Sequence, residues 1–215
     1  MSVMTNEVTS KMLWNEILCL GDSITNGARD ELGRNFPLEL ATILCQKTGQ
    51  IYYCHNRSVN GDTSNDLLKR IWRDCSSAPT ATVATVLIGT NDTRLPTTEQ
   101  MYEDNLRQII NVIKLHKKLP IIIELPPLSY SLGCNYLRNR EHYEKYNTVL
   151  RNLCENSCMY FELDEEITSC LPDGIHFSNK GNRLLGEKLA DYVLSIGSRV
   201  PTGRVAESVV VADTP

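Results

Sequence analysis

Ile17-Leu18-Cys19-Leu20-Gly21-Asp22-Ser23-Ile24-Thr25 is the stretch that decides how this chain folds. Its first four residues are continuously apolar, the pattern of a strand buried on both faces of a sheet. Gly21 closes the run, and Asp22-Ser23 follows where the strand has to break. A serine at the carboxyl end of such a strand lies where open α/β sheets form their ligand crevice. If this strand is central, the rest of the chain should bring partners to Ser23.

On the carboxyl side comes a polar loop, Thr25 to Asn35, with Gly27, Arg29, Gly33 and Arg34. Pro37 suits the first turn of a helix, with Leu38, Leu40, Leu44 and Cys45 as an apolar stripe. Ile51-Tyr52-Tyr53-Cys54 reads as a second strand, and Asn60-Gly61 as a turn. Thr63 or Ser64 caps a helix that sets Leu67, Leu68, Ile71 and Trp72 on one face. Val83 to Ile88 repeats the opening grammar, an apolar run stopped by Gly89-Thr90-Asn91-Asp92. A long helix from about Thr98 to His116 follows, with Met101, Leu106, Ile109, Ile110 and Ile113 as core candidates.

Pro120 to Leu125 is a fourth buried strand, closed by Pro126-Pro127. An irregular loop, Leu128 to Arg138, carries Tyr130, Tyr136 and Leu137 as pocket-lining candidates. A helix from about Asn139 to Glu155, a short strand at Met159 to Leu163 and a loop at Ser169 to Ser178 come next. The last helix, capped by Ser178 or Asn179, runs to Ile196 on Leu184, Leu185, Leu189 and Val193. Residues 1–14 read as a polar leader and 15–198 as one domain. Residues 199–215 read as a flexible tail whose apolar piece is Val209 to Ala212.

Strands alternating with helices define the α/β class, a parallel sheet covered on both faces. Right-handed crossovers make a five-stranded, flavodoxin-like order 2-1-3-4-5 the natural solution. In that order the first and third strands are neighbours, so Ser23 and the 89–92 loop meet at one crevice.

The chain of 215 residues suffices for one such domain, and 41% apolar with 22% charged residues is ordinary for a globular protein. A formal charge of −4 gives no electrostatic case for nucleic acid or an anionic membrane surface. No run approaches the roughly 18–20 apolar residues of a transmembrane helix, and Met1 to Asn15 lacks a secretory apolar core. Eight cysteines stand without a Cys-x-x-Cys pair, so neither a metal site nor a disulfide framework is expected. Cys19, Cys45 and Cys54 read as small hydrophobes, and the compartment as reducing and cytoplasmic.

Four polar clusters remain: Gly21-Asp22-Ser23, Asn60-Gly61, Gly89-Thr90-Asn91-Asp92 and Asp173-Gly174-Ile175-His176. Together they hold the parts of an acyl-transfer site. Serine is a weak nucleophile at neutral pH and needs an adjacent base, most often histidine. That base needs a carboxylate to fix its tautomer, and Asp173 stands one turn of chain before His176. The tetrahedral intermediate needs donors, for which the Ser23 N–H, the Gly61 N–H and the Asn91 amide are candidates. Asp22 and Asp92, beside glycine turns, are read first as acceptors for local backbone. Asp22, Arg94 and Tyr130 are the candidates for touching a substrate, and Arg29 and Arg34 read as solvated charge.

In order and spacing these clusters resemble the four blocks of the SGNH, or GDSL-type, hydrolases, over about Glu16 to Ser195. The resemblance implies a three-layer α/β/α sandwich. It implies Ser23 as nucleophile, His176 as general base and Asp173 as its orienter, with Ser23, Gly61 and Asn91 as the oxyanion hole. It implies a small-molecule acyl ester as substrate, of a carbohydrate or a lysophospholipid for example, and no metal or organic cofactor. The second block departs from many relatives, with Ser58 and Asn60 in place of glycine and serine. The same site with an alcohol acceptor would be an acyltransferase, and a non-catalytic binding domain is a third reading. Oligomeric state is not legible.

Overall fold

The computed structural model describes residues 14–128 and 140–197. These form a five-stranded sheet in the order β2-β1-β3-β4-β5. Its strands are β1 (Trp14–Gly21), β2 (Ile51–Asn56), β3 (Val83–Leu87), β4 (Leu119–Ile123) and β5 (Met159–Phe161). All four pairings are parallel, with Gly21 level with Leu87 on β1 and β3. The helices are α1 (Ser23–Asn26), α2 (Phe36–Thr48), α3 (Ser64–Ser76), α4 (Glu99–Leu115), α5 (Arg140–Ser157), α6 (Glu165–Thr168) and α7 (Asn179–Gly197).

The chain moves one way from β1 to β2 and the other way from β2 on through β3, β4 and β5. Right-handed crossovers therefore place α2 on one face and α3, α4 and α5 on the other. α7 packs on α2, while α3 meets α4 and α4 meets α5. Ile17 to Leu20 and Ile121 to Ile123 are almost wholly buried, as continuous apolar runs in a twice-covered sheet should be.

The caps follow the residue chemistry. Asn35 accepts the Leu38 N–H at 2.9 Å, with Pro37 in the first turn of α2. Thr63, not Ser64, caps α3 and forms a capping box with Asp66. Ser178 accepts the Gly181 N–H at 3.3 Å at the start of α7. Neither α1 nor α6 is announced by an apolar period, since each is a single turn.

Three core expectations fail. Leu38, Trp72 and Met101 are 49%, 59% and 55% exposed. The buried faces run through Leu40 and Leu44, Leu67 and Ile71, and Leu106 and Ile110. Trp72 and Met101 each sit one residue, about 100° of helix, off those faces. Trp72 instead meets His116 edge-on, with ring centroids 4.8 Å apart. Trp14, expected to end the 1–14 leader, is instead the first residue of β1, paired with Ile51; the rest of that leader, the 199–215 tail and most of the 128–138 loop, with Tyr130, Tyr136 and Leu137, lie outside the described residues.

A cavity of about 660 Å³ opens at the amino ends of the strands, among Ile17, Val83, Leu119, Ile121 and Val193. It is at the opposite edge of the sheet from Ser23. Among the described residues, no helix is long and apolar enough to cross a membrane.

Candidate active site

β1 stops at Gly21 and α1 starts at Ser23. A Cβ on Gly21 would fall 2.5 Å from the Leu87 carbonyl oxygen and 2.1 Å from Thr25 Oγ1. Only glycine lets β1 lie this close to β3 and turn at once into a helix. Asp22 caps that turn, its Oδ1 accepting the Ile24 N–H at 2.9 Å. Ser23 is half-buried as the first helical residue, so its own N–H is one the helix does not consume.

His176 reaches Ser23 from 153 residues away, with Nε2 2.9 Å from Oγ. Its Nδ1 lies 2.7 Å from Asp173 Oδ2. Asp173 Oδ1 takes the N–H groups of Ile175 at 3.0 Å and His176 at 2.7 Å, which fixes the loop that carries the ring. Burial opposes ionisation of Asp173, but these donors and the His176 ring outweigh it and hold the carboxyl below its usual range. An ionised Asp173 only accepts, so Nδ1 carries the proton and Nε2 is left to accept from the Ser23 hydroxyl.

Arg29, expected as solvated charge, sends Nη1 to Asp173 Oδ2 at 3.1 Å while staying 71% exposed. Its φ of +65° is a conformation few non-glycine residues hold. Arg34 pairs with Glu39 at 2.7 Å.

Gly61 has φ +85°, which favours glycine, and its N–H has no acceptor among the described residues. Asn91, just past β3, donates from Nδ2 to the Asp62 carbonyl at 3.0 Å and to Asp22 Oδ2 at 3.3 Å. The longer bond is the weaker, so one amide N–H can be released to a ligand. Gly61, Asn91 and Ser23 thus sit on the loops after β2, β3 and β1 at one edge of the sheet.

The expectation that Asp22 touches substrate is corrected by its burial, since it is 1% exposed. Burial pushes its carboxyl up to about 7, against the Ile24 N–H and with Asp92 and Asp62 adding repulsion. Asp92 is likewise buried and pushed up to about 6, although it accepts the Ser64 N–H at 2.8 Å and hydroxyl at 2.6 Å. Both aspartates tie loops together. Arg94 is exposed on a 3-10 turn, Asp92–Arg94. Among the described residues, no three His, Cys, Asp or Glu side chains converge as a metal site.

Two sets of supporting residues escape the sequence reading. Asn26 Nδ2 donates to Asn60 Oδ1 at 2.9 Å, and the Ser58 hydroxyl reaches Asn26 Oδ1 at 3.4 Å. The unusual residues of the second block thereby join its loop to α1. Arg70 on α3 binds Asp62 at 2.7 Å, the Arg57 carbonyl at 2.6 Å, the Gly21 carbonyl at 3.0 Å and Asp74. It clamps the end of β1 to the Gly61 loop. The only signal in the sequence was an Arg-x-x-x-Asp spacing within α3.

A serine, an imidazole and a carboxylate in hydrogen-bonded series on a flavodoxin-like sheet define a class of hydrolytic site. The sequence pattern of the GDSL-like lipase/acylhydrolase family matches residues 19–184. The chain belongs to that family, and it is an esterase/acylhydrolase acting on carboxylic esters. It is 26% identical to the isoamyl acetate-hydrolyzing esterase of Saccharomyces cerevisiae, over 85% of this chain and 87% of that protein. The lipase/acylhydrolase of Enterococcus faecalis superimposes with a TM-score of 0.71 at 23% identity, covering 89% of this chain and all of the other. The psychrotrophic esterase EstA of Pseudoalteromonas, in a structure inhibited by monoethylphosphonate, gives 0.69 at 16% identity, over 85% and 98%. The two structures share the fold.

Proposed function

We propose that the protein is a serine esterase of short-chain carboxylic esters, working through an acyl-Ser23 intermediate. The observation that carries this reading is the series Ser23 Oγ to His176 Nε2, 2.9 Å, and His176 Nδ1 to Asp173 Oδ2, 2.7 Å. His176 takes the hydroxyl proton as Ser23 Oγ bonds to the ester carbonyl carbon. The Ser23 and Gly61 N–H groups and the Asn91 amide receive the developing oxyanion. The same imidazole then protonates the departing alcohol. Water, deprotonated in turn by His176, releases the acid and restores Ser23.

The preference for a short acyl group is supported by the yeast relative, whose name gives it an acetate ester as substrate. A series of p-nitrophenyl esters from acetyl to octanoyl tests it. Turnover should be fastest at the short end and fall with chain length. A preference for octanoyl would remove the short-chain reading. A Ser23→Ala variant that kept most of its activity would remove the mechanism itself.

A further inference from the structure

Cys154 and Cys158 place their sulfurs 2.7 Å apart, both as free thiols. That is inside van der Waals contact and well beyond the ~2.05 Å of a bond. Cys154 lies on the last turn of α5, and Cys158 is the first residue past its end, immediately before β5. The sulfur approach itself shows that the end of α5 brings the two side chains together, so a bond needs them to close by less than about 1 Å. Because Cys158 is already outside the helix, its backbone can adjust without breaking a turn. This is one local pair, distinct from the framework of structural bridges that the composition argues against.

The two thiols differ in the way that sequential redox chemistry requires. Cys154 is 7% exposed, whereas Cys158 is only half-buried and can meet a small oxidant. The contact with Cys154, then the Ser157 hydroxyl and the Lys114 ammonium of α4, outweigh burial and draw the Cys158 thiol below its usual range. Cys154, in the same contact and more deeply buried, is pushed up. Cys158 is thus the nucleophile and Cys154 the resolving thiol.

We propose that Cys154 and Cys158 form a reversible redox site that a hydroperoxide oxidises to an intramolecular disulfide. The Cys158 thiolate attacks the terminal peroxide oxygen, forming an S–O bond as the O–O bond breaks. The alkoxide or hydroxide leaving group takes up the proton that Cys158 lost. Cys154 sulfur then attacks the sulfenic acid, the S–O bond breaks, and the oxygen leaves as water with the Cys154 proton. Two thiols are oxidised by two electrons and one peroxide is reduced. A dithiol reductant reverses the bond by exchange. The bond staples the last turn of α5 to the start of β5 and uses no group of the Ser23 site.

The test is peptide mapping after peroxide. Folded protein, with unchanged circular dichroism, is treated with equimolar hydrogen peroxide, then with N-ethylmaleimide, and digested. The peptide bearing both residues should lose the mass of two hydrogens, escape alkylation and recover with dithiothreitol. In Cys154→Ser, dimedone should trap a sulfenic acid on Cys158. In Cys158→Ser, Cys154 should stay fully reduced. Wild-type protein in which both thiols still take maleimide, or in which Cys158 pairs with another cysteine, would overturn the proposal. A dimedone adduct on Cys154 rather than Cys158 would overturn the assigned order.

Discussion

Asp22 holds a carboxyl sealed from solvent, with Asp92 and Asp62 close by. Its folded value of about 7 lies above the ~3.9 of an unfolded chain, so between these limits the native state binds more protons. Stability contributed by this group is therefore full at low pH and lost as pH rises through about 7. Asp173 has the opposite sign, being held below its usual range, so its contribution is lost as pH falls. Urea midpoints measured from pH 4 to 8 should show a shallower pH dependence in Asp22→Asn than in the wild type. Asp92, raised to about 6, keeps a residual slope in the variant. Identical slopes would mean that Asp22 is ionised in the fold. At the reacting groups, His176→Ala should lose several orders of magnitude in kcat/KM, and Asp173→Asn less, because the oxyanion donors remain. Steady-state kinetics on one short ester settles both.

At the scale of elements, the site is a junction of three strand ends, and α3 secures it. Thr63 caps α3 two residues after Gly61, and its loss in Thr63→Ala should cost about 1 kcal/mol. Arg70, from the next turn, holds Asp62, Asp74 and two carbonyls with its side chain 11% exposed. Replacing it with methionine takes Asp62 from its ion-pair partner and leaves Asp74 only the exposed Arg73, an effect of about 3 kcal/mol. Urea unfolding checks this, and a loss below about 1 kcal/mol would show that water replaces the guanidinium. Such contacts were not legible in the sequence. Arg70 meets Gly21 from 49 residues away and Arg29 meets Asp173 from 144, and no local pattern encodes pairs so distant. Helix faces are legible only to within one position, which is why Trp72 and Met101, core residues by their apolar spacing, lie outside the core.

For the whole molecule, the alternation of buried runs and amphipathic helices was enough to give the sheet order, because crossover handedness leaves few topologies. That order alone puts Ser23 and the 89–92 loop, with Asn91, at one crevice. Asp173 and His176 were legible as a pair from their spacing, but their approach to Ser23 depends on α7 returning across the sheet. Together these groups would make Ser23 a nucleophile. The most direct measurement is reaction with a fluorophosphonate followed by mass spectrometry of the modified residue. Stoichiometric modification of Ser23, absent in Ser23→Ala and strongly slowed in His176→Ala, is the result predicted. A folded protein that hydrolyses esters while Ser23 stays unmodified would contradict it.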